Sequence, residues 1–147
     1  MSNPGSITIT QQRDYQFLVD FGAAIPHLLA DEPLPVGTGE GPSPTALLLA
    51  SVANCLTASL HFAMRKFTQD AGGIQATASA RIARNAEQRL RVQEIVVAIT
   101  LGKPGGEIEQ LARILSQFEA FCTVSQSVGQ GIPIVVTVHD GAGVRVK

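Results

Sequence analysis

The chain has 147 residues, with 11 Lys and Arg against 12 Asp and Glu, a formal net charge of −1, and only two cysteines. So balanced a charge provides no electrostatic footprint for nucleic acid, and two thiols exclude a stapled extracellular scaffold, which offsets a small core with many bridges. A chain of this length buries roughly two-thirds of its unfolded surface, so one domain over 1-147 is expected, needing neither a disulfide nor a structural metal to fold.

In chain order, Ser6–Thr10 and Tyr15–Asp20 alternate or carry β-formers, and Gln11–Asp14 between them reads as a hairpin connection. Residues 25–30 offer a third strand, and the Pro- and Gly-dense stretch from Asp31 to Pro42 reads as loop. Ser43 followed by Pro44 is a strong helix start, and the helix should run to about Asp70, with Gly72-Gly73 as its stop. Gln75 to Ala83 alternates, placing Ala76, Ala78, Ala80 and Ile82 on one face, and Leu90 to Leu101 is a longer strand burying Ile95, Val97, Ile99 and Leu101. Ile108, Leu111, Ala112, Leu115 and Phe118 recur at helical spacing, with Glu107 and Glu109 in the first turn, predicting a helix to about Phe121. Thr123 to Gln126 has capping-box spacing, so a short helix should start directly after Cys122. Ile132 to Val138 reads as the last strand, and Asp140–Gly143 as a turn or fraying tail. The order predicts an α+β fold with antiparallel sheets.

The helix is unusual because no charged residue occurs from Gly41 to Met64, long enough to span a bilayer. Ser51, Asn54, Thr57, Ser59 and His61 interrupt it at a cost in lipid, so it reads as a buried helix and no membrane is expected. A helix apolar around most of its circumference must be covered on nearly all sides, which argues for a homodimer sharing it. Met1–Ser6 has neither the basic nor the apolar region of a secretory signal, so the expected compartment is the cytoplasm, where a disulfide is transient.

The two cysteines are either small buried hydrophobes or a redox couple. A thiol is a useful nucleophile only as a thiolate, whose formation is favoured near a helix N-terminus or a cation and opposed by apolar surroundings. Cys122 would sit at the start of the short helix, near backbone N–H groups that favour negative charge, whereas Cys55 lies mid-helix, far from either dipole end. Cys55 therefore needs an imported cation if it is the reactive thiol, and Arg13 in the first hairpin is the leading candidate. His27, His61 and His139 are scattered, so no metal site is expected.

Asp31-Glu32-Pro33, then Gly41-Pro42-Ser43-Pro44, then Leu47-Leu48-Leu49-Ala50 leading to Cys55, and finally Cys122-x-Val124-Ser125 before Gly129 and a strand, resemble the OsmC/Ohr family of thiol peroxidases. The resemblance runs from about Asp31 to Val138 and implies an intertwined α+β homodimer with central Cys-bearing helices. It further implies reduction of organic hydroperoxides without a cofactor: Cys55 in the peroxidatic position, Cys122 in the resolving one, and an external dithiol, on a lipoylated or thioredoxin-like protein, as reductant. Leu48, Val52 and Phe62, on the Cys55 stripe of the helix, would line the substrate pocket or else be ordinary core. Family peroxidases carry a Glu soon after the helix-starting Pro, paired with an Arg that holds the thiolate; here that position is Thr45. Roughly ten residues of helix rise about 15 Å, so the position suits the other subunit's site, and Glu40 in the preceding loop is a possible substitute. Loss of the Glu also leaves open a non-catalytic protein binding a small apolar ligand.

Overall fold

The computed structural model describes residues 5–147, so residues 1–4 of the opening stretch lie outside it. Two compact units form, Met1–Leu48 and Leu49–Lys147.

In the first unit, β1 (Thr8–Arg13), β2 (Gln16–Asp20) and β3 (Leu28–Ala30) pair antiparallel in that order. The hairpin is tighter than its polar sequence predicts. A register shift between Gln11 and Arg13 lets β1 continue to Arg13, and Asp14 closes the turn at φ 46°, a left-handed conformation that Asp tolerates better than most side chains. The third strand begins only at Leu28 because Pro26 lacks the N–H a ladder needs. The following loop folds back on β3: the Asp31 N–H donates to the Pro42 carbonyl at 3.1 Å, and Gly41 packs so closely on the Leu29 carbonyl that a Cβ there would overlap it.

Helix α1 spans Pro44–Lys66 and starts as expected, with Ser43 Oγ accepting the Ala46 N–H at 3.2 Å. It stops before the predicted Asp70. The Gln69 N–H reaches back to the Met64 carbonyl at 2.8 Å while Thr68 adopts φ 57°, so the terminating left-handed position falls on a threonine rather than on Gly72. Val52, Leu56, Leu60, Ala63 and Met64 form one buried stripe; cover on nearly all sides, as the charge-free sequence led one to expect, is not found among the described residues. By length and composition α1 would also pass for a membrane span.

In the second unit β4 (Ile74–Arg84), β5 (Leu90–Leu101) and β6 (Ile134–His139) form a sheet in that order. The bounds of β5 match the sequence pattern, and Ile95, Val97, Ile99 and Leu101 are buried. The register shift between Arg81 and Ile82 reverses the alternation of β4, so Ile82 faces solvent at 48% exposure and Ala83 takes the inner side. The expected all-antiparallel arrangement fails at β6, which runs parallel to β5. A parallel neighbour requires a long crossover, and residues 102–133 with their helices supply one.

The crossover holds α2 (Leu111–Gln117), single 3-10 turns at Gly105–Glu107 and Phe118–Phe121, and α3 (Thr123–Val128). The helix predicted from Ile108 thus begins later. Gln110 at φ 58° breaks it, and the Glu109 N–H is taken by the Gln69 side chain at 2.9 Å. The apolar spacing still marks the core, with Ile108, Ile114, Leu115 and Phe118 all buried. No capping box forms at α3: Cys122 is the N-cap, Thr123 is already helical, and Gln126 donates to the Glu119 carbonyl instead. Of the two readings of Asp140–Gly143, the turn is the one that forms. Asp140 accepts the N–H groups of Gly105, Ala142 and Val144, and Lys147 pairs with Glu119 at 2.6 Å over the Phe118 ring.

Candidate active site

The two thiols meet in the second unit. Cys55, half-buried on α1, lies near enough to the Cys122 thiol for that thiol to raise its pKa, and Cys122 itself has 0% exposure. The helical N-terminus that the sequence assigned to Cys122 serves the other sulfur. The Val124 and Ser125 N–H groups, first-turn donors with no partner inside α3, favour the thiolate of Cys55, while the Cys122 side chain caps nothing. Burial, reinforced by the adjacent Cys122 thiol, pushes the Cys55 pKa up, and the two N–H groups pull against that rise without reversing it.

In the first unit, Arg13 at the end of β1 belongs to a polar network. Its guanidinium lies 3.7 Å from Glu40, and its Nε donates to Gln16 Oε1 at 3.2 Å. Gln16, buried on β2, donates in turn to Glu40 Oε2 at 2.6 Å and to Thr38 Oγ1 at 2.9 Å. Thr38 donates to Asp31, whose carboxylate also accepts the Glu32, Thr38 and Glu40 N–H groups. The Thr38 hydroxyl, together with those N–H groups, holds the Asp31 pKa down at about 2. Glu40, a loop residue in sequence, is thus anchored by its backbone on Asp31 and by its side chain on Gln16, and it presents a carboxylate to Arg13. The proline and glycine content of the loop signalled no such order. Gln16 and Asp31 carried no functional signal in the sequence beyond the Asp31-Glu32-Pro33 likeness.

Of the other residues singled out by sequence, Val52 is fully buried in the core, Leu48 is half-buried, and Phe62 stands out at 64% exposure. A cleft of about 290 Å³ in the first unit, walled by Ile9, Tyr15, Phe17, Val19, Pro44 and Leu47, is almost wholly apolar. Thr45 is half-buried, one residue into α1. His27 lies 3.5 Å from Asp20, and among the described residues no three His, Cys, Asp or Glu side chains group as metal ligands.

The sequence profile of the family described as OsmC-like protein matches residues 37–137, which include both cysteines. The chain belongs to the OsmC-like family. Solved structures agree on the OsmC-like fold. A protein of Psychrobacter arcticus, described as a candidate osmotic stress induced and detoxification response protein, superposes with a TM-score of 0.79 at 24% identity, over 95% of this chain and 98% of that one. An OsmC-like protein of unknown function from Vibrio cholerae follows at 0.77 and 16%, over 94% and 99%. An organic hydroperoxide resistance protein from Elizabethkingia anophelis gives 0.72 and 18%, over 95% and 99%. No curated protein matches the sequence.

Proposed function

We propose that this OsmC-like protein reduces organic hydroperoxides by a two-cysteine cycle, as a cytoplasmic homodimer in defence against oxidative stress. The observation that carries the reading is the proximity of the Cys55 and Cys122 thiols, close enough for one to shift the pKa of the other although they lie on elements far apart in sequence. The Cys55 thiolate attacks the outer peroxide oxygen, the O–O bond breaks, and the alkoxide leaves with a proton as the alcohol. Cys55 is then a sulfenic acid, and Cys122 condenses with it to a disulfide, releasing water. A dithiol on a lipoylated or thioredoxin-like protein returns both thiols and is itself oxidised. Arg13, held by Glu40 and Gln16, is the guanidinium that favours the thiolate, with Glu40 in the part that family peroxidases give to a helix-borne Glu. Leu48 and Phe62 remain the proposed substrate-side positions, whereas Val52, fully buried, belongs to the core. The hydroperoxide resistance named for the Elizabethkingia structure supports the same chemistry.

The test is consumption of cumene hydroperoxide with dithiothreitol or a lipoylated protein as reductant. Cys55→Ser is expected to abolish turnover, and Cys122→Ser to leave a sulfenic acid that dimedone traps on Cys55. Absence of turnover, or turnover that survives Cys55→Ser, removes the reading.

One observation favours a second reading, a non-catalytic protein binding a small apolar ligand. Burial raises the Cys55 pKa, so little thiolate forms near neutral pH. That reading expects slow alkylation of Cys55 at pH 7, accelerating only at higher pH. Rapid, selective alkylation at pH 7 decides for the peroxidase.

A further inference from the structure

We propose that when the Cys55–Cys122 disulfide is reduced, the incoming thiolate attacks the sulfur of Cys55, so that the mixed disulfide with the reductant forms there and Cys122 is the group displaced. The proposal rests on the two-cysteine reading above and concerns which sulfur faces the reductant.

Displacement at a disulfide runs in line: the nucleophile approaches along the extension of the S–S bond, so the sulfur attacked needs an open far side. Cys122 has none, with 0% exposure, whereas Cys55 is only partly covered. The cover on Cys122 comes from its own chain, and a second subunit could add to it but not remove it. The Cys122 backbone is also pinned. Its N–H donates to the Glu119 carbonyl at 3.1 Å, and its carbonyl accepts the Gln126 N–H at 3.0 Å and the Ser125 hydroxyl at 3.4 Å. Exposing this sulfur means opening the 3-10 turn Phe118–Phe121 and the start of α3 together.

Leaving-group chemistry pulls the other way. The Val124 and Ser125 N–H groups favour the Cys55 thiolate and would assist its departure if Cys122 were attacked, although burial opposes them. Access decides, because a sulfur with no open side is not attacked however good its partner is as a leaving group. Those N–H groups act in the second half of the exchange instead. In the first half the reductant thiolate forms an S–S bond to Cys55, the protein S–S bond breaks, and Cys122 takes a proton. In the second half the reductant's other thiol attacks the reductant sulfur of the mixed disulfide, and Cys55 departs as a thiolate facing Val124 and Ser125. Two electrons pass from the dithiol, which becomes a disulfide, to the protein cysteines.

A monothiol stalls this sequence after the first half. The wild-type protein is oxidised with diamide, which joins the thiols whether or not peroxide does, then exposed briefly to glutathione, quenched with acid, blocked with N-ethylmaleimide and mapped by peptide mass spectrometry. Glutathione is expected on the Cys55 peptide, with N-ethylmaleimide on Cys122, in at least about tenfold excess over the reverse pattern. Glutathione on Cys122, or an even division, overturns the proposal and means that α3 opens during exchange. If diamide forms the disulfide and hydroperoxide does not, the peroxidase reading falls while the assignment of the attacked sulfur stands. If neither forms it, both fall.

Discussion

Arg13 and Glu40 are 64% and 53% exposed at their side chains, and an ion pair so open to water contributes only about 0–1 kcal/mol to stability. Its loss should therefore appear in activity and not in unfolding. On the proposed cycle Arg13→Gln lowers kcat/KM for an organic hydroperoxide by about 100-fold and Glu40→Gln by about tenfold, with urea midpoints close to wild type. Equal activity in both variants would remove the pair from the reaction. Asp31 differs because it is buried and its hydrogen bonds are structural. Its pKa falls from 3.8 to about 2 on folding, so it contributes stability that is complete above pH 4 and is lost as the pH drops through about 2. Asp31→Asn should melt at a lower temperature than wild type at pH 7, and the difference between the two should narrow between pH 4 and pH 2. A constant difference in calorimetric melting temperature over that range would contradict the linkage.

Elements whose signals are local were legible in the sequence. The start of α1 follows from the Ser43 hydroxyl and Pro44, and the extent of β5 from an apolar alternation that keeps its phase. Where an element's shape depends on another element, the pattern misled. The shift at Arg81 and Ile82 is set by pairing with β5, and the late start of α2 goes with a Glu109 N–H taken by the Gln69 side chain. Thr68 occupies the left-handed region at φ 57°, which a β-branched side chain adopts at a cost. Thr68→Gly is accordingly expected to raise stability by about 1 kcal/mol in urea unfolding, and a destabilised variant would mean that the Thr68 side chain makes contacts worth more than the strain.

For the whole molecule, α1 buries one stripe among the described residues, while Phe62, Leu34 and Val36 are left 64%, 75% and 57% exposed. Together with the family resemblance this supports a homodimer, expected as twice the 15.5 kDa chain mass in light scattering at micromolar concentration, where a monomer would sink it. The sequence by itself determined the α+β class, the start of α1, the core positions of β5 and the family, because hydrophobic period, caps and motif spacing are properties of neighbours along the chain. Only the tertiary structure decided that β6 runs parallel to β5, that Glu40 meets Arg13, and that the first N–H groups of α3 turn to Cys55 and not to the adjacent Cys122. The physical reason is common to all three. Each depends on which unsatisfied backbone or charged group is brought within a few ångströms of which other, and that distance is set by the packing of segments whose separation along the chain carries no such information.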